Sequence, residues 1–279
     1  MSDPYVEIAH SLPNEVRVGG ALITLVEPHA GFEAAYNRWY EDDHFYSGAM
    51  AGPWIFSGRR FVATADLRSV RPQLPSPIAA PPDAGCYISL YWITAGQEEP
   101  AERWGFHAMA DTLVPRGRGF AERSHVYTAF HRFRSGFFRD ESPLRAETCL
   151  AHPFAGLYAE VIDAATPEEF EEVMGWLETD AIASTLAGSD AAACLAFVPV
   201  PFSQGLIKGG AVSAVDDPQE IGRRVCLLWF LDSDPREGFA TNLSRLHEQL
   251  ATRGRGELRL SGAFVPTVPG TDTYVSELR

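Results

Sequence analysis

The stretch WYEDDHFY, residues 39–46, sets an imidazole directly behind three carboxylates, Glu41, Asp42 and Asp43. Histidine is the side chain whose ordinary proton affinity falls between about pH 5 and 8, so His44 is the first candidate for a general acid or base. Carboxylates at the end of a helix sit where anions are disfavoured. Either they are paired with arginines elsewhere, or they set the protonation and orientation of His44. Arg59 and Arg60 alternate in direction along a strand, so one of them at most reaches a given pocket, where it would bind a carboxylate or enolate oxygen. The plainer alternative for either is a salt bridge to Asp43. Tyr40 and Trp54 are candidate walls for a flat aromatic ligand. The strand histidines His125 and His131 are either chemical groups or hydrogen-bonded wall residues, and His107, inside a helix, is either a ligand contact or an interfacial residue.

Competing chemistry leaves no signature. The chain contains no GxGxxG turn, no P-loop, no GxSxG elbow and no HExxH. The two RGRG turns follow helices and so cannot cradle phosphate as a helix N-terminus does. No histidine pair has helical i, i+4 spacing, and no metal site is expected. The formal charge of −14 argues against nucleic-acid and anionic-membrane partners. Cys86, Cys149, Cys194 and Cys226 are far apart, which suggests free thiols in a reducing compartment. With no basic start, no apolar leader and no membrane-length apolar run, a cytoplasmic protein is expected. At 46% hydrophobic residues the chain can bury a large core.

The elements that must position these groups occur twice. A shift of 137 residues carries Trp39, Glu41 and Asp43 onto Trp176, Glu178 and Asp180, Trp92 onto Trp229, and RGRG at 116–119 onto RGRG at 253–256. Each copy reads β-α-β-β-α-β, a ferredoxin-like unit. In the first copy the elements are 16–27, 31–46, 54–64, 86–94, 98–114 and 123–133. In the second they are 156–164, 166–180, 193–200, 224–232, 235–251 and 257–266. Long insertions separate the second and third strands, over 66–85 and 201–222. The expected division is residues 1–142 for a first module holding the site and 143–279 for a second, structural one. Each one-sided sheet needs a cover, and the economical solution packs the two sheets face to face.

The copies differ where chemistry would be. His44 becomes Ala181, Tyr40 becomes Leu177, Tyr91 becomes Leu228, Trp104 becomes Thr241 and His107 becomes Ser244. Under the same shift His125, Tyr127 and His131 become Gly262, Phe264 and Val268. A pocket is therefore expected in the first module. Period-two alternation places His125, Tyr127 and His131 on one strand face, and Tyr87, Ser89 and Tyr91 on another, to meet the first helix in the helix–sheet layer.

The tandem order, with the helix end NRWYEDDHF, resembles the dimeric α+β barrel superfamily in a fused, pseudo-dimeric form, and the aromatic-then-histidine helix end resembles EthD-like members. The resemblance implies an enzyme without organic cofactor, of cyclase, isomerase or lyase type, moving protons beside a carbonyl of a hydrophobic polyketide-like or aromatic small molecule. It makes His44 the general acid or base, with Tyr40, Tyr91, Arg59 and His125 as catalytic partners that meet a developing enolate. Trp54, Tyr87, Trp104, His107, Tyr127 and His131 would then line the substrate. Members of the wider superfamily also include cofactor-free monooxygenases and haem proteins, so these, and a non-catalytic binding module, stay open. So does a further homodimer of the fused chain.

Overall fold

The computed structural model describes residues 16–74, 78–139, 142–201 and 222–279; nearly all of the second insertion lies outside the described residues. The first half runs β1 (Val18–Pro28), α1 (Glu33–Trp39), β2 (Ile55–Val62), α2 (Ala65–Ser69), β3 (Tyr87–Thr94), α3 (Glu98–His107) and β4 (Arg123–Phe138). The second runs β5 (Gly156–Ala164), α4 (Phe170–Trp176), α5 (Ile182–Leu186), β6 (Ala191–Pro199), β7 (Arg224–Leu231), α6 (Phe239–Arg253) and β8 (Gly256–Pro266). α1 continues beyond Trp39 as a π-helix over Tyr40–Met50, past the expected end at residue 46. Its wider i→i+5 turns carry the His44 segment.

All eight strands close into one antiparallel barrel in the order β1-β3-β2-β8-β5-β7-β6-β4. The expectation of two separate sheets stacked face to face is thereby corrected: the sheets are also joined edge to edge. Closure satisfies the edge N–H and C=O groups that two open sheets would leave bare. β4 makes this possible by its length. It ladders with β1 from Arg123 to Arg132 and with β6 from His131 to Phe138. The other seam, β2 with β8, is short, pairing only Phe61 with Pro266 and Val62 with Val265.

Pairing registers sort the side chains into two layers. Ile23, Leu90 and Trp92 face the barrel interior, where Trp92 stacks on Phe197 with ring centroids 5.1 Å apart. Thr24, Ser89 and Tyr91 face the helices of the first half. β7 is buried along its whole length, since helices cover one face and the barrel interior the other.

The repeat survives at the helices and breaks at the strands. Ser47 bonds Asp43 and Ser184 bonds Asp180, each one helical turn back. Gly117 and Gly254 both adopt left-handed φ, 70° and 66°, where a side chain would be strained after the helix end. Trp92, however, lies inside the barrel, whereas Trp229 lies in the helix layer, donating to Glu160 at 2.9 Å and facing Phe239 at 5.7 Å. β4 and β8 each carry a bulge, at Val126 and Arg259. Pairing therefore matches His125, Tyr127 and His131 with Leu258, Leu260 and Phe264 rather than with Gly262, Phe264 and Val268. No helix among the described residues is long and apolar enough to cross a membrane.

Candidate functional site

The acidic helix end is paired. Glu41 accepts from Arg60 at 3.1 Å and from the Gly270 backbone at 3.0 Å. Asp43 takes both the Nε, at 3.1 Å, and an Nη of Arg118, which holds its carboxyl below the usual carboxylate range. The carboxylates thus anchor the helix, and their repetition in the second half has this structural reason.

Behind them, buried tyrosines fill the layer between α1 and the sheet. Tyr40 donates to Ser89 Oγ at 2.8 Å, so the close Tyr91 hydroxyl donates to Tyr40. Burial, reinforced by Tyr40, pushes the Tyr91 phenol well above its ordinary value, so it stays a proton donor. Arg60 is enclosed by the rings of Tyr87, Tyr40 and Tyr36, at 3.8, 4.5 and 5.5 Å from its Cζ. Its Nη1 bonds Asn37 and Glu41, while its Nε and Nη2, like the Tyr87 hydroxyl, have no partner among the described residues. A strap from the second half closes this layer: Asn37 donates to Thr271 O at 3.0 Å and to Asp272 Oδ1 at 2.9 Å.

His44 stacks on Trp39, centroids 4.2 Å apart and planes 17° from parallel, with Tyr40 edge-on at 5.3 Å. Gly48, one turn on, makes room for it, since a Cβ there would sit 2.5 Å from His44 Nδ1. That Nδ1 is buried without a hydrogen-bond partner. Burial, then the positive charge of Arg123 and coupling to His125, lowers the His44 proton affinity to about 3, against the opposing pull of Asp43. His44 is therefore neutral at pH 7.

Arg123 and His125 complete the group. The guanidinium lies 4.5 Å from the Trp39 ring centroid, and its Nε donates to His125 Nε2 at 3.2 Å. Since Arg123 can only donate, His125 Nε2 accepts, and its Nδ1–H is given to Thr128 Oγ1 at 2.8 Å. Burial and Arg123 lower His125 to about 4. The bulge at Val126 is what turns His125 toward the helices.

Of the residues expected to act chemically, His44, Tyr40, Tyr91 and His125 share this layer. Arg59 does not, and is a correction. It faces the barrel side, donating to the carbonyls of His152 and Phe154 and lying 5.0 Å from the Phe61 ring, where it fills the gap beside the short β2–β8 seam. The expected walls divide three ways. Tyr87 is in the layer. Tyr127 and His131 are not, because the bulge reverses the face they were expected to share with His125. They form a pair inside the barrel, where His131 Nδ1–H donates to Ala129 O at 3.0 Å and Nε2 accepts the Tyr127 hydroxyl at 2.8 Å. Trp54, Trp104 and His107 line an outer groove of about 470 Å³ with Pro53, Glu99, Pro100 and Arg103. His107 is exposed and paired with Asp111 at 2.8 Å.

Sequence reasoning missed Arg123, although it stands two residues before His125 at the start of β4. It also missed a second polar cluster, in the half expected to be inert. There the fully buried Glu160 accepts from Trp229 Nε1 at 2.9 Å, His247 Nε2 at 2.5 Å and Ser261 Oγ at 3.1 Å. Comparison of copies only along residues present in the first could not find it. Among the described residues, no three His, Cys, Asp or Glu side chains converge as a metal set.

No protein-family profile matches the chain, and no curated protein matches it. Solved structures do. A dye-decolorizing peroxidase from Bacteroides thetaiotaomicron is similar with a TM-score of 0.52 at 9% identity, over 96% of this chain and 99% of its own. A protein described as a possible chlorite dismutase gives 0.51 at 10% identity, over 94% of this chain and 100% of its own. An anthrone oxidase-like protein gives 0.47 at 10% identity, over 90% and 92%. The first two establish the fold: a dimeric α+β barrel, its two ferredoxin-like halves fused in one chain.

Proposed function

On this tandem barrel we propose an enzyme that moves protons on a hydrophobic, polyketide-like or aromatic small molecule without an organic cofactor, a cyclase, isomerase or lyase. The observation that carries the reading is the neutral, partly exposed His44, stacked on Trp39 next to Arg123 and His125 and beside the Tyr91→Tyr40→Ser89 hydroxyl chain. In this reading His44 takes a proton from carbon beside a carbonyl. The guanidinium of Arg123 meets the oxygen that becomes negative, while the Tyr91 and Tyr40 protons stay within the hydroxyl chain that backs His44.

The residues present do not suit a haem. The helix–sheet layer is filled by Tyr36, Tyr40 and Tyr87 in one half and by Trp229, Phe239 and Leu246 in the other, all buried. A macrocycle would have to displace them, and we derive no step through one. A non-catalytic binding module is favoured by one observation, the open groove between Trp54 and Trp104.

Solvent deuterium uptake into enolisable aryl ketones, followed by NMR, separates the two. The enzyme reading expects uptake that falls roughly a hundredfold in His44→Ala, the usual scale of general acid–base help. Ligand binding with no uptake, unchanged by His44→Ala, would leave only the binding module.

A further inference from the structure

Arg123 is a half-buried cation that forms no ion pair with a carboxylate among the described residues. Its neighbours are neutral or π-rich: Trp39 beneath it, the His125 lone pair at its Nε, and the hydroxyl-bearing Tyr36, Tyr40 and Tyr91 close enough to couple to it. The other guanidinium nearby, Arg118, is committed to Asp43. A cation taken partly out of water is costly unless an anion compensates it, as Glu41 at 3.1 Å compensates the neighbouring Arg60. His44, His125 and Arg123 each keep some solvent exposure.

We infer that Arg123, flanked by His44 and His125, is an anion-binding site, and that the substrate carries a carboxylate or an acidic enol or phenol whose negative oxygen lies against this guanidinium. This rests on the proposed function only for the word substrate; the anion site itself follows from the charge balance. Two things follow for the histidines. The groups facing His44 are Arg123, His125, Asp43 and Arg118, and only the Arg118–Asp43 pair is internally neutral. An anion on Arg123 therefore cancels the guanidinium's share of the depression, which comes second to burial at both imidazoles, and so raises their proton affinity when the charged ligand is bound. A base that is weak in the free site would strengthen on ligand arrival, which suits it to take a proton only in the complex.

The test uses the full chain, with thiocyanate and benzoate as probe anions and benzamide as the neutral counterpart of benzoate. Binding is measured by calorimetry and the imidazole titrations by NMR. The expected result is that benzoate binds at least tenfold more tightly than benzamide. Thiocyanate should compete with it, and saturating benzoate should move the His44 and His125 titrations upward. Arg123→Gln should abolish the preference for benzoate, and Arg123→Lys should keep part of it even if the Gln variant folds poorly. Equal binding of benzoate and benzamide, no binding of either anion, or an Arg123→Gln protein that still prefers benzoate would each overturn the site. Anion preference without proton exchange on ketones would keep the site and reject the enzyme reading. Exchange that depends on His44 but not on Arg123 would do the reverse.

Discussion

Each half of the barrel buries polar groups between its helices and its sheet, but the two clusters are finished differently. In the second half the Glu160 carboxylate collects three donors, from Trp229, His247 and Ser261, and both of its oxygens are used. In the first half the charge is a cation, Arg123, with no carboxylate, and His44 Nδ1, Tyr87 Oη and two nitrogens of Arg60 have no partner among the described residues. A fully satisfied network holds a fold together, whereas unpaired polar atoms are a cost that a ligand can remove. On the proposed reading, the second cluster serves stability and the first serves chemistry.

The largest break in this contrast is expected from Glu160→Ala. It strips three donors of their buried acceptor and should cost about 3–5 kcal/mol in urea unfolding, as loss of one partner from a buried charged network does. His44→Ala should do the opposite. Ala181 occupies the matching helix position, so stability should stay within about 1 kcal/mol of the parent, while turnover falls roughly a hundredfold.

Acid titration sharpens the same difference. Burial above all lowers His131 to about 3, against the opposing pull of the Ala129 and Ala21 carbonyls, and below the ordinary 6.5 that it regains on unfolding. The unfolded chain therefore binds the proton first, and stability should fall as pH drops below 6.5 toward 3, by about 1.4 kcal/mol per pH unit for this group. His131→Phe, the residue its structural counterpart Phe264 already shows, should remove one proton from that slope. His247 has the other sign. Burial lowers it, but the hydrogen bond and charge of Glu160 outweigh burial and raise it. Its contribution is complete below 6.5 and is lost as pH rises through its folded value, and His247→Gln should flatten that alkaline limb in a pH series of unfolding curves.

The smallest effect belongs to the strap. Asn37→Ala removes bonds to Thr271 and Asp272 and one acceptor of Arg60, and should cost about 1–2 kcal/mol. Faster hydrogen exchange should be confined to α1 and the 267–279 tail.

Periodicity and the repeat made the fold legible, because helix ends conserve their own local chemistry: Asp43 with Ser47, Gly117 after a helix, and their second copies. What they could not carry was the count of residues in a strand. Two bulges, invisible in composition, shifted β4 and β8, so His125 went to the helices while Tyr127 and His131 went to the barrel. The same limit put Trp92 and Trp229 on opposite faces and let Arg59 stand for a role that faces Arg60 and Arg123. Glu160 escaped notice because a lone acid in a strand has no signature until its three donors are seen around it.

The central claim, that the first half's layer is the ligand site and the second half's is scaffold, is tested most directly by mapping where an aromatic anion binds. In an NMR titration of the intact chain with benzoate, shifts should concentrate at Trp39, Tyr40, His44, Tyr91, Arg123 and His125 and spare Trp229 and His247. Perturbation centred on Trp229 and His247, with the His44 ring unmoved, would contradict the account.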